Sequence, residues 1–350
     1  MSLIIFLVIL GIMVTVHEFG HFLAARLSGV RVEIFSIGFG RPVYKKVFDG
    51  CEFRICLIPL GGYVKLFGDE PSEFKGQKDA FLGQPKSKRA FIIGLGPVFN
   101  YLLAWVVFCL VFIVGIELPS TKIGVLLDDQ AAARAGILEG DKVLAVNGED
   151  VDTWSELVAA IQANESSVLN MKVQRDGAAY DFQLTPDTKQ RKDIFGRERK
   201  VSFAGIGPSD EMKRLQYPVF KSISEGTKSL FVFTGLTLKG LWLMITGAMP
   251  VKESVTGPLG IYFVTKEAAK IGLGAVLHLM AVISMSLGIF NLLPLPVLDG
   301  GHLFFIVIEA LRRRPLSDKI QERVNQFGFA FMMLLMVLVV ANDIQRYFFK

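Results

Sequence analysis

Apolar positions open this chain as an unbroken run. From Leu3 to Val16 only Thr15 is polar, and the apolar character resumes at Phe22-Leu23-Ala24-Ala25. Residues 3–27 are enough, at ~1.5 Å per residue, for a helix that crosses a bilayer, and Ser28-Gly29 ends it. Residues 90–116 carry no charge and predict a second span. Pro97 and Asn100 in its first half predict a kink and an interhelical hydrogen bond. A third span covers residues 271–298, where Pro294 and Pro296 must break the helix late and expose backbone at membrane depth. Residues 327–341 give a fourth, shorter span. The stretch 222–246 starts with charged residues and is interrupted by Lys239, which predicts an interfacial amphipathic helix.

Between the spans the period changes. Over residues 30–68, Val, Ile, Phe and Tyr mix with glycines and charges, and two strand-like runs flank Asp49-Gly50, a hairpin signal. Pro59-Leu60-Gly61-Gly62-Tyr63 marks a second tight turn. A sheet between two membrane helices should lie against the membrane, where it could receive an extended substrate as an added strand; a plain connector is the alternative. Residues 70–89 are polar and Lys-rich, a loop.

From 120 to 186 the texture is that of a soluble α+β unit. Ile123-Gly124-Val125-Leu126 reads as a strand, residues 153–163 as a helix, and 168–173 with 180–184 as strands around Asp176-Gly177. The charged stretch from Lys189 to Gln216 reads as a linker. The chain thus divides into a first membrane half (1–116), an inserted domain (120–186), a linker with the interfacial helix (187–270) and a second membrane half (271–350). The fold class is an α-helical polytopic membrane protein with about four transmembrane helices, a membrane-associated β-sheet and an inserted α+β domain.

Composition agrees with a lipid setting. Of 350 residues 51% are hydrophobic and 29 are Phe, more than a soluble protein needs. The net charge of +5 is modest, and its basic clusters fall in loops: Lys45, Lys46, Lys86, Lys88 and Arg89 between the first two spans, Arg312-Arg313-Arg314 between the last two. With four spans both clusters lie on one side, which the positive-inside rule makes cytoplasmic. The inserted domain then lies outside, and nucleic-acid binding is not implied. No Lys or Arg precedes the first apolar run and Arg26 follows it, the reverse of a signal peptide's order, so the first helix is expected to be retained. Cys51, Cys56 and Cys109 have neither zinc-finger spacing nor an even count.

The chemistry sits inside the first span, in Val16-His17-Glu18-Phe19-Gly20-His21. Residues four apart share a helix face, so His17 and His21 can hold one Zn²⁺ with Glu18 beside its water. Two histidines leave a catalytic zinc short of a protein ligand. The best candidate for the third is Asp299, an acid at the broken third span, where an unpartnered carboxylate would be costly. His302 is expected to support the site and His278 to hydrogen-bond within the bundle. Two rivals remain at this point, a non-catalytic membrane scaffold with structural zinc and a metal transporter. The first has no use for Glu18; the second predicts a polar path through the bilayer, not one compact cluster.

Two resemblances sharpen the reading. The string Ala132-x-x-Ala135-Gly136-Ile137-x-x-Gly140-Asp141-x-Val143-x-x-Val146-Asn147-Gly148 resembles circularly permuted bacterial PDZ domains. In such a domain Ile123 to Leu126 and the helix after Thr153 would line a peptide groove. HEFGH in the first span, Gly96-Pro97-x-x-Asn100 in the second, the PDZ-like unit, and Asn291-x-x-Pro294-x-x-x-x-Asp299-Gly300-Gly301 in a later span look together like the site-2 protease family of intramembrane zinc metalloproteases, its bacterial sigma-E-regulator branch. That branch often carries two PDZ domains where this chain shows one. The resemblance implies His17, His21 and Asp299 as zinc ligands and Glu18 as catalytic acid/base. It sets Asn291, Gly61, Gly62 and Asn100 on the substrate side. It also implies a multi-pass protein of the bacterial inner membrane, with the PDZ domain periplasmic and the active site towards the cytoplasm. Its substrates would be single-span membrane proteins already shortened outside, such as anti-sigma factors, and remnant signal peptides.

Overall fold

A computed structural model describes residues 2–164, 168–192, 198–250, 255–314 and 316–349. Residues 193–197 and 251–254 of the expected linker lie outside these. The chain forms two compact units, one built from residues 1–113, 218–237 and 255–350, the other from 114–217 and 238–254.

The first unit holds the apolar helices. α1 (Ser2–Ser28) and α2 (Lys86–Val114) run antiparallel, because Gly20 faces Leu95 and Gly96, and His21 reaches Ile92. Lipid gives helices no hydrophobic drive to associate, so small residues that admit close backbone approach decide the crossing. A Cβ on Gly20 would lie 2.4 Å from the Leu95 carbonyl oxygen, a contact only glycine permits. Met13, Ala104 and Phe108 are wholly buried in the core above this crossing.

Between α1 and α2 the chain makes β1 (Val32–Phe48) and β2 (Cys51–Leu66), joined at Asp49-Gly50, both with positive φ as a type I′ turn requires. Each strand folds back on itself. Residues 32–37 pair antiparallel with 62–66 (Phe35↔Val64, Ile37↔Gly62). The same residues pair on their other side with 52–55 in the same direction (Ile34↔Glu52, Ile37↔Ile55), and 52–56 pair antiparallel with 42–47. The result is a four-stranded sheet with residues 61–66 at one edge, packed along α1.

Among the described residues five helices are long and apolar enough to cross a membrane, one more than expected from the sequence. The addition is α5 (Val219–Ile245), which stays helical through Lys239 and whose first part packs on α2. The Trp105 indole donates to Thr227, and the Tyr101 and Thr234 hydroxyls share a 2.7 Å bond. A short helix not foreseen, α6 (Pro258–Ile271), follows. Its first turn is capped by the buried Asp343 carboxylate, which accepts from the Gly257 and Gly260 amides at 3.1 and 2.9 Å.

The expected third span is two helices. α7 (Leu273–Asn291) ends at Asn291, residues 292–298 form tight turns through both prolines, and α8 (Asp299–Arg312) starts at the acid itself. Val297 holds φ +75°, a costly conformation for a β-branched residue, two positions before Asp299. Gly300 and Gly301 lie so close to Leu292, Leu293 and Leu295 that a Cβ on either would be 2.2 Å from a carbonyl oxygen. α9 (Asp318–Phe348) completes the unit, with Gly328 against Pro296.

The second unit is α+β. β5 (Lys142–Val146), β6 (Glu149–Asp150), β7 (Leu169–Arg175) and β8 (Ala178–Leu184) form an antiparallel sheet ordered β6-β5-β7-β8, over a core that includes Ile123, Ile137, Leu157 and Met171. The short α3 (Ala131–Arg134) precedes β5, and α4 (Trp154–Ala163) starts in a capping box of Thr153 and Glu156. Asp141 accepts twice from Arg175 at 2.7 Å and once from the Leu138 amide, tying the loop before β5 to β7.

The unit also runs beyond residue 186. Much of the expected linker is strand: β9 (Asp187–Lys192) pairs with β10 (Glu198–Phe203), β11 (Ile206–Pro208) with β4 (Ile123–Leu126), and β12 (Met212–Leu215) with β3 (Ile116–Pro119). Charge alone misled there, since short exposed strands alternate charged residues on their solvent face. β11 therefore pairs along one edge of β4, the strand expected to line a peptide groove.

Candidate active site

Two elements bring the predicted ligands together. His17 and His21 stand one turn apart on α1, and Asp299 enters from the first turn of α8. Their ligand atoms all lie within 4.8 Å of one another. His17 Nε2 is 3.1 Å and His21 Nε2 3.6 Å from the two Asp299 oxygens, and the two Nε2 atoms are 3.2 Å apart. Two imidazole nitrogens at that distance need a proton or a cation between them.

The donor set fits zinc. His21 Nδ1–H donates to the Ile92 carbonyl at 2.9 Å, so its Nε2 presents a lone pair to the cluster. Asp299 Oδ2 is buried and makes no well-directed hydrogen bond, although His17 Nε2 is near. An orphaned carboxylate oxygen facing two imidazoles asks for a cation. Two histidines, one carboxylate and an open fourth position are the ligand count of a catalytic site, not a closed structural one.

Glu18 follows the first ligand and lies beside the same cluster. Gly62 of the edge strand packs 3.5 Å from its side chain, measured from the Cβ that glycine lacks, and the Val64 backbone amide faces its carboxylate. When bound, zinc supplies Lewis-acid activation of water and of a peptide carbonyl. Beside a bound zinc, the Glu18 carboxylate would be the group to take a proton from water and pass it to the leaving amine nitrogen.

The other candidates divide. Gly61 (φ +123°, against Phe39) and Gly62 lie in the edge strand, with Gly62 beside Glu18. Asn291 closes α7, half-buried, and its amide has no protein partner among the described residues. Asn100, expected to bond between helices and set on the substrate side by the resemblance, is wholly buried on α2 with its amide 3.1 Å from His17 Nδ1 on α1. His278 stands edge-on between Phe108 and Phe233 and makes no hydrogen bond among the described residues, contrary to expectation. His302 faces a cavity of about 1070 Å³ whose wall also includes Arg89, Phe305, Glu309 and Asn325.

Sequence reasoning missed the glycine in the second span. A Cβ on Gly96 would lie 2.3 Å from His21 Nε2. The signal was in the sequence, Gly96-Pro97 at the depth of the histidines, but only the three-dimensional crossing shows which side chain needs the space.

A family model described as Peptidase family M50 matches residues 5–335. The chain belongs to that family, the site-2 proteases. M50 relatives align over nearly its whole length. A candidate zinc metalloprotease of Rhizobium meliloti (strain 1021) is 34% identical, covering 98% of this chain and 96% of the relative. The regulator of sigma-E protease RseP of Salmonella typhimurium (strain 14028s / SGSC 2262) is 32% identical, covering 99% and 98%. A candidate zinc metalloprotease of Campylobacter jejuni is 32% identical, covering 97% and 92%. With five apolar helices, the M50 membership makes this chain a multi-pass membrane zinc metalloprotease.

Proposed function

We propose that the chain cuts peptide bonds within the transmembrane segments of single-span membrane proteins already shortened on the outside. Anti-sigma factors and remnant signal peptides are the substrate classes, and regulated intramembrane proteolysis is the setting. The observation that carries this is the depth of the site. His17 lies ~22 Å along α1 from its start and ~16 Å from its end, at 1.5 Å per residue. The metal cluster and Glu18 therefore fall inside the hydrocarbon layer, nearer the end that carries Arg26.

The membrane is the bacterial inner membrane, with the site towards the cytoplasm. Lys86 and Arg89 at the start of α2 meet Glu309 at the end of α8: Lys86 Nζ donates to the Glu309 carbonyl at 3.0 Å, and Arg89 donates to both carboxylate oxygens at 2.8 Å. The two helix ends lie on one face, and Arg312 follows at once. α2 leaves that face and α7–α8 returns to it, so an even number of crossings separates them. That parity supports four full spans (α1, α2, α7–α8 and α9), with α5 not counted as a lone crossing. The second unit, which resembles a PDZ domain, then lies on the periplasmic side. The alignment to the Salmonella protein runs to 449 positions, about 100 more than this chain has, which agrees with one such domain here.

The edge strand beside Glu18, residues 61–66, is the template that receives the unwound substrate, and Asn291 the hydrogen-bond donor on the opposite wall. The test is to express wild type and Glu18→Gln and to follow short membrane fragments by mass spectrometry. Glu18→Gln should keep stoichiometric zinc and accumulate fragments that wild type removes. Continued cleavage by that variant would refute the assignment, and loss of zinc from it would make Glu18 a ligand. Asp299→Ala should lose both zinc and cleavage.

A further inference from the structure

His17 faces the metal cluster through Nε2, so the partner of its other nitrogen decides what Nε2 can do. That partner is Asn100, whose side-chain Nδ2 lies 3.1 Å from His17 Nδ1 while its Oδ1, fully buried, has no partner. An amide offers a donor and an acceptor at equivalent positions, and a half-turn of the side chain exchanges them. In one setting Nδ2–H donates to the Nδ1 lone pair. The imidazole proton is then on Nε2, which faces Asp299 Oδ2 at 3.1 Å. In the other, Oδ1 accepts from Nδ1–H and Nε2 presents its lone pair to a metal.

We infer that Asn100 is a positioning residue whose amide oxygen accepts from His17 Nδ1–H and so keeps the Nε2 lone pair turned to a metal. This rests on His17, His21 and Asp299 being the ligands. The Asn100 backbone is held separately, since Ser284 Oγ donates to its carbonyl at 2.8 Å. The residue type follows from the role. Leucine, of similar shape, offers no acceptor. Aspartate keeps the acceptor but adds a second buried carboxylate near Asp299. Asparagine accepts without a net charge.

The experiment measures zinc affinity of the full-length protein in detergent by competition with a chelator, for wild type, Asn100→Leu, Asn100→Asp, Ser284→Ala and His17→Ala. Loss of a partner to a metal-bound histidine weakens affinity about 10- to 100-fold, the drop expected for Asn100→Leu. Asn100→Asp, which still accepts from Nδ1–H, should bind zinc close to wild type, and Ser284→Ala likewise. Wild-type affinity in Asn100→Leu, or equal losses in the leucine and aspartate variants, would overturn the inference. Should Asn100→Leu fail to fold, the aspartate variant decides alone: retained affinity supports the role and a large loss removes it. Retained affinity in His17→Ala would instead refute the ligand assignment beneath it.

Discussion

Gly96→Ala is the sharpest single-atom test of the metal site. The added methyl would be 2.3 Å from His21 Nε2, 2.4 Å from Cε1 and 2.9 Å from Cδ2. An ordinary contact needs at least about 3.4 Å, so ring or helix must move by about 1 Å. The ring has little freedom, since Nδ1–H is bonded to the Ile92 carbonyl of the same helix. Separating the helices instead would open the crossing that Gly20 and Gly96 close. Metal–ligand distances tolerate only about 0.2 Å, and a 1 Å misplacement near the chemistry can cost about 100-fold in rate. Gly96→Ala should therefore lose most of its zinc at chelator-buffered concentrations and cut at least about 100-fold more slowly. Gly94→Ala is the control on the same helix, because its Cβ would meet nothing within 4 Å. It should retain zinc and activity, with a gain in helix propensity of up to about 1 kcal/mol. Stoichiometric zinc and full activity in Gly96→Ala would show that the crossing is looser than described.

Other perturbations address separate links. Asn291→Ala should keep zinc and slow cleavage, more on a helix-stabilised substrate than on a helix-weakened one; equal defects on both would remove Asn291 from substrate opening. Glu309→Ala leaves Arg89 buried without its carboxylate and should destabilise the protein in detergent melts by about 3–5 kcal/mol, with partial recovery in the Arg89→Met/Glu309→Leu pair. An unchanged melt would mean water already solvates Arg89. In the second unit, burial pushes the Asp141 carboxyl up, but the Arg175 guanidinium and the Leu138 amide together hold it below the usual range. A depressed folded pKa stabilises above the unfolded value of about 3.9 and loses that stabilisation as pH falls through the folded one. Hydrogen exchange at residues 169–175 should accelerate below about pH 4 in wild type, and Asp141→Asn should be fast already at pH 7 with a flatter profile.

The candidate ligands were legible because chemistry at membrane depth is scarce. His17, His21 and Asp299 are polar groups in apolar runs, and each needed a reason that one ion supplies. The strands of the sheet announced themselves through Asp49-Gly50, but their fold-back did not, since nothing local shows that residues 32–37 pair on both sides. The break after Asn291 was visible in Pro294 and Pro296. That α8 begins at Asp299 was not, because Gly300 and Gly301 weaken a helix locally and are required only by the backbone packed against them. For Asn100 an interhelical hydrogen bond was legible, but its partner was not. Its residue type fits a substrate wall and a ligand's partner equally, and only the antiparallel crossing of α1 and α2 puts it on His17.

The sheet's position bears on the energetics of the proposed reaction. A transmembrane helix keeps its carbonyls in i to i+4 bonds, and each backbone group freed in lipid costs several kcal/mol. Opening a single turn without replacement partners would cost on the order of ten kcal/mol or more, comparable to much of an enzyme's rate enhancement. A strand edge replaces those bonds as it breaks them. Residues 61–66 form such an edge, and Gly62 beside Glu18 leaves no side chain between edge and base. A chain docked there would bring its carbonyl to the histidines and its amide nitrogen to Glu18 in one motion. Unwinding and proton transfer would then share one geometry, so damage to the strand should lower kcat without releasing zinc.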